Sequence, residues 1–335
     1  MRAGRIAGLD LLRGIAVGLV ILRHALPDVF AGAGVVGVVM FFAISGYLIT
    51  GVLLADLEQT GRVDLRRFYA RRAVRLVPAL LLLVAGVVVV TLALDPLGDR
   101  AQLVKTVAVA LTWTGNLPFG HASDATFHLW TLATEEQFYL LWPAVLAFGF
   151  VRGRLLLTLL LTGAACLLAA ALTVTWLREA PDLAYALPTS WAVCFVVGAG
   201  VRVYADRLPP LGPVAVAAGL TGLMVLSVVP LRGHALTYLA GGPAIAALTG
   251  LLLLAWREWD DISAPLLRAL VWLGTVSYAA YLWNYPLTLW LRPHVDQAGL
   301  LAAGLTLLLA WLSTTYVEEP LLRRSRRPVA VEAAA

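Results

Sequence analysis

The sequence predicts an all-α polytopic membrane protein with about ten transmembrane helices and both termini in the cytoplasm. Three observations predict it. Of 335 residues, 61% are hydrophobic and 13% charged, where soluble domains carry roughly 25% charged residues. Mean hydropathy is +0.85. The apolar residues also fall in runs of about 20, the length of helix that crosses a ~30 Å hydrocarbon core, separated by short polar gaps. A membrane domain is expected over residues 1–324, followed by a short, disordered cytoplasmic tail over 325–335.

In order, the spans fall near residues 9–27, 34–56, 76–95, 128–151, 155–177, 187–204, 211–231, 238–256, 271–291 and 298–317. The first has Arg2 and Arg5 ahead of it and Ala31-Gly32-Ala33 behind it, the outline of a secretory leader. A cleaved leader would not hold Arg23 and His24 in its apolar region, so the segment is read as an uncleaved span. Segment 104–116, "VKTVAVALTWTGN", is too short to cross, and its placement sets the parity of everything after it.

Arginine placement decides that parity, because short cytoplasmic loops collect Lys and Arg. With 104–116 on the outer side, the inside holds Arg2, Arg5, the run Arg62 to Arg75, Arg152, Arg154, Arg202, Arg207, Arg257, Arg268, Arg323, Arg324, Arg326 and Arg327. The outside holds Arg100, Lys105, Arg178, Arg232 and Arg292. If 104–116 crossed, ten of the inside arginines would move out and three of the outer ones in. The segment is therefore read as interfacial or re-entrant, in a multi-pass protein of the bacterial cytoplasmic (inner) membrane. Lys105 is the lone lysine among 25 basic residues, the bias of a GC-rich bacterial genome.

The net charge of +5 does not point to nucleic acid, since the arginines sit in short loops with no soluble basic face to hold a duplex. They suit orientation and contact with anionic membrane lipids. Cys166 and Cys194 lie inside apolar runs and read as core filling. His121, His234 and His294 fall in outer loops without metal-ligand spacing, so they read as solvated and no metal is expected.

Four stretches carry candidate chemistry. Arg13 and His24 stand eleven positions apart on the first span, about three turns and roughly 16 Å along the axis, and so share one helix face. Ionisable groups at membrane depth are costly and face a protein interior or a watery cavity, which makes them functional candidates; a packed core histidine is the alternative. "HLWTLATEEQFYLLWP" buries Glu135 and Glu136 about two turns into a span, pointing roughly 100° apart, so one can face a cavity while the other pairs. A buried ion pair with an arginine, locking two helices, is the structural alternative. "RRFYARRAVRLVP" places Arg72 and Arg75 on one face, where guanidinium groups can grip phosphate oxygens bidentately or merely orient the chain. "FFAISGYLIT" sets Ser45 and Gly46 midway along the second span, for close helix packing or, with a base beside it, for Ser45 as nucleophile. The aromatic run "SYAAYLWNYPL" contains Tyr281 and Asn284.

Together these stretches resemble the acyltransferase 3 family, bacterial membrane enzymes that acylate sugar hydroxyls and related acceptors. "LDLLRGIAVGLVILRHA" is similar to its opening arginine–histidine motif, "FFAISGYLIT" to its FFxxSGFLIT segment and "FYARRAVRLVPA" to its RxxR element. "FHLWTLATEEQFYLLWP" is similar to its HLWSLSVEEQFYLLWP element, which includes Trp130, and "SYAAYLWNYPL" and "VEEPLLRR" to its last two signatures. The order is kept from residue 9 to about 324. Asn284 stands where many members have a histidine, and the form expected is the stand-alone one, without a C-terminal serine-hydrolase-like domain.

The resemblance implies an O-acyltransferase that moves an acyl group from acyl-CoA, with acetyl-CoA as donor, to a hydroxyl of a carbohydrate or a secondary metabolite. In that reading Arg13, Arg72 and Arg75 hold the CoA phosphates. His24 is the general base, Glu135 orients it or stabilises its imidazolium, and Glu136 pairs elsewhere, with the swap of the two glutamates left open by the sequence. The alternatives are a multi-span transporter of a small anionic or polyol solute using the same groups as a proton relay, and a partner protein without activity. No internal repeat of the kind transporters show is found.

Overall fold

The computed structural model describes residues 6–117, 122–209 and 211–325, and among them every regular element is helical. Arg2, Arg5, His121, Arg326, Arg327 and most of the expected tail lie outside the described residues. The first four helices are α1 (Ala7–Ala25), α2 (Ala33–Thr60), α3 (Leu65–Ala93) and α4 (Leu103–Thr112). Next come α5 (Trp130–Val151), α6 (Leu155–Trp176), α7 (Ala192–Tyr204) and α8 (Pro213–Val228). A π-turn over Thr237–Gly241 leads into α9 (Gly242–Trp256), followed by α10 (Pro265–Thr275), α11 (Ser277–Leu291), α12 (Ala298–Ser313) and, after a second π-turn, α13 (Glu319–Ser325).

Three boundaries depart from the sequence reading, each for a local reason. α3 begins at Leu65 rather than at the apolar run, because Gly61 closes α2 in the left-handed region (φ 71°) and the Asp64 side chain accepts from the Arg67 backbone N–H at 2.9 Å as an N-cap. The arginine run is thus helical and rigid. α7 starts at Ala192, later than the expected 187, because Pro181 and Pro188 break the preceding stretch into single turns. The span read as 271–291 is broken at Val276 into α10 and α11, which meet at 79°. At the break the Thr275 hydroxyl donates to the Trp272 carbonyl at 2.7 Å, a side-chain bond that competes with the helical ladder.

Among the described residues five helices are long and apolar enough to cross a membrane by length and composition, or six with the bent pair counted as one span. The roughly ten spans read from the sequence exceed this count for identifiable reasons. α1 is 19 residues long but carries Asp10, Arg13 and Arg23; α5 carries Glu135 and Glu136; α7 and α8 are 13 and 16 residues long. α6 has only 11% of its most apolar stretch buried and turns Leu156, Leu160, Leu161, Leu168 and Leu172 outward. A helix of this kind, with its backbone bonds internal and its leucines outside, suits lipid as solvent. The chain is a multi-pass membrane protein.

α4, at ten residues, spans about 15 Å and cannot cross. Its trailing loop is pinned to α5 by a reciprocal amide pair, Asn116 Nδ2 donating to Gln137 Oε1 (2.9 Å) and Gln137 Nε2 to Asn116 Oδ1 (3.0 Å).

The core is centred on α1 and α2, with α7, α10 and α11 against them. Backbones touch at two crossings. A Cβ at Gly46 would meet the Phe195 carbonyl oxygen at 2.0 Å, and one at Gly198 the Ala43 carbonyl oxygen at 1.9 Å, so α2 and α7 cross glycine against glycine. α1 and α10 do the same at Gly14 and Gly274. This is the small-residue packing expected beside Ser45. Because backbone rather than a flexible side chain blocks the space, Gly198→Ala is expected to cost about 2 kcal/mol of stability by overpacking, read as a fall in the thermal melting of detergent-solubilised protein.

Candidate active site

Two cavities open at opposite ends of the same helices. The first, of about 280 Å³, is lined by Arg13 of α1, Ser45 of α2, Arg67, Arg71, Arg72 and Arg75 of α3, Glu135 and Tyr139 of α5, and Ser277, Tyr278 and Tyr281 of α11. The second, of about 190 Å³, takes the C-terminal end of α1 (Arg23, His24), the start of α2, the turn ahead of α5 (Phe127, His128), Trp130, Tyr185, Arg232, and the far half of α11 (Tyr285, Thr288, Arg292). Arg13 and His24, three turns apart on one face, therefore sit in different cavities. Val38 and Tyr281 line both. Tyr281 is pinned at this shared wall, its hydroxyl donating to the His128 carbonyl (3.0 Å) and accepting from Thr131 Oγ1 (2.7 Å).

The three consecutive polar residues of the "EEQ" stretch reach three different elements. Glu135 Oε1 accepts from the Ser45 hydroxyl at 3.1 Å. Glu136 Oε1 accepts from Arg72 Nη2 at 2.8 Å, and the Arg72 guanidinium lies 3.4 Å from the centre of the Tyr139 ring. Gln137 holds the loop after α4, as above. Glu135 thus faces the arginine-lined cavity and Glu136 pairs with an arginine, joining α5 to α3. Arg72, read from the sequence as a ligand of the CoA phosphates, pairs with Glu136; Arg67, Arg71 and Arg75 are more exposed guanidinium groups of the same cavity. Ser45 has a carboxylate beside it rather than a histidine.

His24 does not hydrogen-bond to Glu135. Its Nδ1 lies 2.5 Å from Asn284 Oδ1. The orientation of that amide is fixed by a chain of donors. The Thr306 hydroxyl donates to the Ala302 carbonyl (2.6 Å) and so accepts from Asn284 Nδ2 (3.1 Å), which turns Asn284 Oδ1 to His24. An amide oxygen can only accept, so His24 Nδ1 carries the proton and Nε2 keeps its lone pair. Asn284 and Thr306 are both fully buried. The residue that departs from the family pattern is therefore the one that sets the tautomer of His24.

Sequence reasoning passed over several groups. His128 is 5% exposed, lines the second cavity, and makes no hydrogen bond of ordinary geometry through either ring nitrogen; the Ala125 and Leu282 carbonyls are its near backbone neighbours. It and His24 flank Tyr285, with ring centres 5.2 and 5.4 Å from it. Ser277 opens α11 at the break, borders the arginine-lined cavity and has a buried hydroxyl without a hydrogen-bond partner. The α10–α11 break, which periodicity could not disclose, puts it there. Trp130 is buried against Phe42, Tyr185 and Trp191. His234 and His294 are exposed, as read; Cys166 and Cys194 are free.

The acyltransferase 3 profile, described as an acyltransferase domain, matches residues 6–316. The chain belongs to the acyltransferase 3 family. It is 29% identical to the peptidoglycan O-acetyltransferase OatA of Listeria monocytogenes over 94% of this chain and 56% of that protein. It is 27% identical to the O-acetyltransferase OatA of Staphylococcus aureus over 95% of this chain and 57% of that protein. With the YrhL protein of Bacillus subtilis it shares 31% identity over 94% of the chain and 55% of the relative. The chain thus spans about half the length of the curated relatives it matches. No solved structure matches it. Family membership favours an acyltransferase over the transporter reading, and the family's motif residues divide between the two cavities: Ser45, Arg72, Arg75 and Glu135 at one end, His24 at the other, Tyr281 between them.

Proposed function

We propose that this chain is a membrane O-acetyltransferase that takes an acetyl group from acetyl-CoA and places it on a hydroxyl of a glycan, with His24 as general base. The observation that carries the reading is the His24–Asn284–Thr306 chain, which leaves an unprotonated imidazole nitrogen in a cavity at membrane depth. Nε2 accepts the proton of the acceptor hydroxyl as its oxygen attacks the thioester carbonyl. The carbon–sulfur bond breaks, and the imidazolium returns the proton to the departing thiolate. Asn284 orients the ring without taking the proton, as an amide must.

The arginine-lined cavity receives the donor from the cytoplasm. Arg67, Arg71 and Arg75 meet its phosphates, assisted by Arg13 and by the Ser277 hydroxyl at the N-terminus of α11. At about 280 Å³ the space lies just below the roughly 300–1,000 Å³ of drug-sized ligand sites, so it takes the thin acyl-pantetheine arm while the nucleotide stays among the surface arginines. The histidine-lined cavity opens to the outer side and takes the glycan. The reading keeps ten spans with both termini in the cytoplasm of a bacterial cytoplasmic membrane, supported by the apolar runs and by the placement of the arginines. Acetyl as the group moved, and a glycan as its acceptor, rest on the relatives' names.

The test is transfer of radiolabel from acetyl-CoA to cell-wall glycan by the full chain in nanodiscs; an absence of transfer to any hydroxyl-bearing glycan overturns the proposal. A second expectation concerns the shared wall. Val38 is 7% exposed and borders both cavities, so Val38→Trp should block the passage between them. Transfer should fall at least tenfold while acetyl-CoA binding, followed by calorimetry, persists.

A further inference from the structure

We infer that the histidine-lined cavity selects an acceptor bearing a compact anionic group, a carboxylate or a phosphoryl group, next to the hydroxyl that is acylated. The inference rests on the acyl-transfer reading above and deepens it. Three guanidinium groups from three distant points of the chain converge on this cavity: Arg23 at the end of α1, Arg232 in the loop after α8, and Arg292 immediately after α11. Among the described residues its lining contains no Asp or Glu, and Asp182, outside the lining, reaches only Arg232 of the three. The other cavity differs in having carboxylates in its own wall, Asp56 and Glu135.

Placement makes the cluster unusual. On the arginine count the outer side of this protein is poor in basic residues, holding Arg100, Lys105, Arg178, Arg232 and Arg292 against the long cytoplasmic set. Orientation works against arginine on that side, yet two of those five residues, joined by Arg23, border one small cavity. Like charges gathered there repel one another, and a bound anion would relieve that repulsion.

The three groups differ in readiness. Arg232 is braced, its Nε 3.5 Å from Asp182 Oδ1 and its guanidinium 4.8 Å from the centre of the Tyr185 ring. Arg23 and Arg292 have no carboxylate within ion-pair reach among the described residues, so their donors are open to a ligand. The fork geometry of guanidinium matches both carboxylate and phosphate. His128 lines the same cavity beside Tyr285, but its ring nitrogens are buried, so the anion is held by the guanidinium groups. An acceptor anchored by its charge at Arg23 and Arg292 would present a neighbouring hydroxyl to His24, the residue adjacent to Arg23 on α1. The anion then acts as a positioning handle.

The experiment uses the full chain in nanodiscs of neutral lipid and four saccharides on one backbone, an N-acetylglucosamine disaccharide. These are the unsubstituted sugar, its 3-O-lactyl ether, the lactamide of that ether, and its 1-phosphate. The lactyl and lactamide forms have nearly the same shape and differ in charge, and the phosphate tells the two anionic groups apart. Calorimetry should show the lactyl acid or the phosphate, or both, binding at least tenfold more tightly than the lactamide and the unsubstituted sugar. That preference should weaken at high salt, collapse in Arg292→Gln and Arg23→Gln, and survive in part in Arg292→Lys. Equal affinity of the charged and neutral forms, a preference that outlasts both glutamine substitutions, or binding of none of the four overturns the inference. Transfer of radiolabel is scored separately. Equal acetylation of charged and neutral sugars ends the inference and leaves the acyltransferase standing; tight binding of the charged sugars without any transfer overturns both the acyltransferase reading and the acceptor role, leaving an anion-binding cavity.

Discussion

Replacing His24 with alanine is expected to lower acetyl transfer by about 10³-fold, the middle of the range that a positioned general base supplies, with little loss of stability. The ring is only partly buried and its hydrogen bond is to one neutral side chain. Asn284→Ala should cost less, about 10- to 100-fold, because it frees the ring to rotate and exchange tautomers without removing the base. The decisive measurement is the double variant. Groups that act as a unit are not additive, so His24→Ala combined with Asn284→Ala should be no slower than His24→Ala alone. Losses that simply multiply would mean that Asn284 serves packing and that the tautomer argument is wrong. Thr306→Val offers a milder probe of the same chain: it removes the acceptor of the Asn284 amide hydrogen, lets the amide turn over, and should lower the rate without changing the KM for acetyl-CoA.

Much of this site was legible in the sequence, and the limits of what could be read have physical causes. The spacing of eleven positions from Arg13 to His24 established a shared helix face, and the structure puts a cavity at each end of it. Adjacent glutamates about 100° apart had to diverge, and they do, one to Ser45 and one to Arg72. Helical period says which residues share a face but not which helix that face meets. The expected approach of Glu135 to His24 therefore gives way to Asn284, a residue 260 positions away in sequence from the histidine it orients. The α10–α11 break was hidden because its residues, Gly274 to Ser277, are unremarkable singly and act through a hydroxyl bond to backbone. A count by apolar length leaves out α1 and α5 for a related reason: they carry the charges proposed for the chemistry, and charge in a helix makes it look less like a span.

The second large effect is expected at Arg72. Its side chain is 16% exposed, that of Glu136 20%, and Tyr139, whose ring lies against the guanidinium, is 2% exposed. Removing one partner of such a pair leaves the other charge unmatched in a poorly solvated place, which typically costs about 3–5 kcal/mol. Arg72→Ala should therefore lose about 3 kcal/mol and melt well below the parent, whatever it does to the donor. Arg75→Ala should do the opposite: its side chain is exposed at the cavity mouth, so the expected result is a KM for acetyl-CoA raised about tenfold, equal to 1.4 kcal/mol, with a much smaller change in melting. The two roles separate in a rescue experiment. If Arg72 acts chiefly by matching Glu136, then Arg72→Met combined with Glu136→Leu, which removes both charges and keeps the volume, should recover most of the melting temperature lost in Arg72→Met alone, as paired replacement of buried ions does elsewhere. A double variant that melts as low as the single one would instead assign Arg72 to the donor phosphates. Full recovery of both stability and donor affinity would mean that the α3–α5 ion pair is a fold lock, with acetyl-CoA held by Arg67, Arg71 and Arg75 alone.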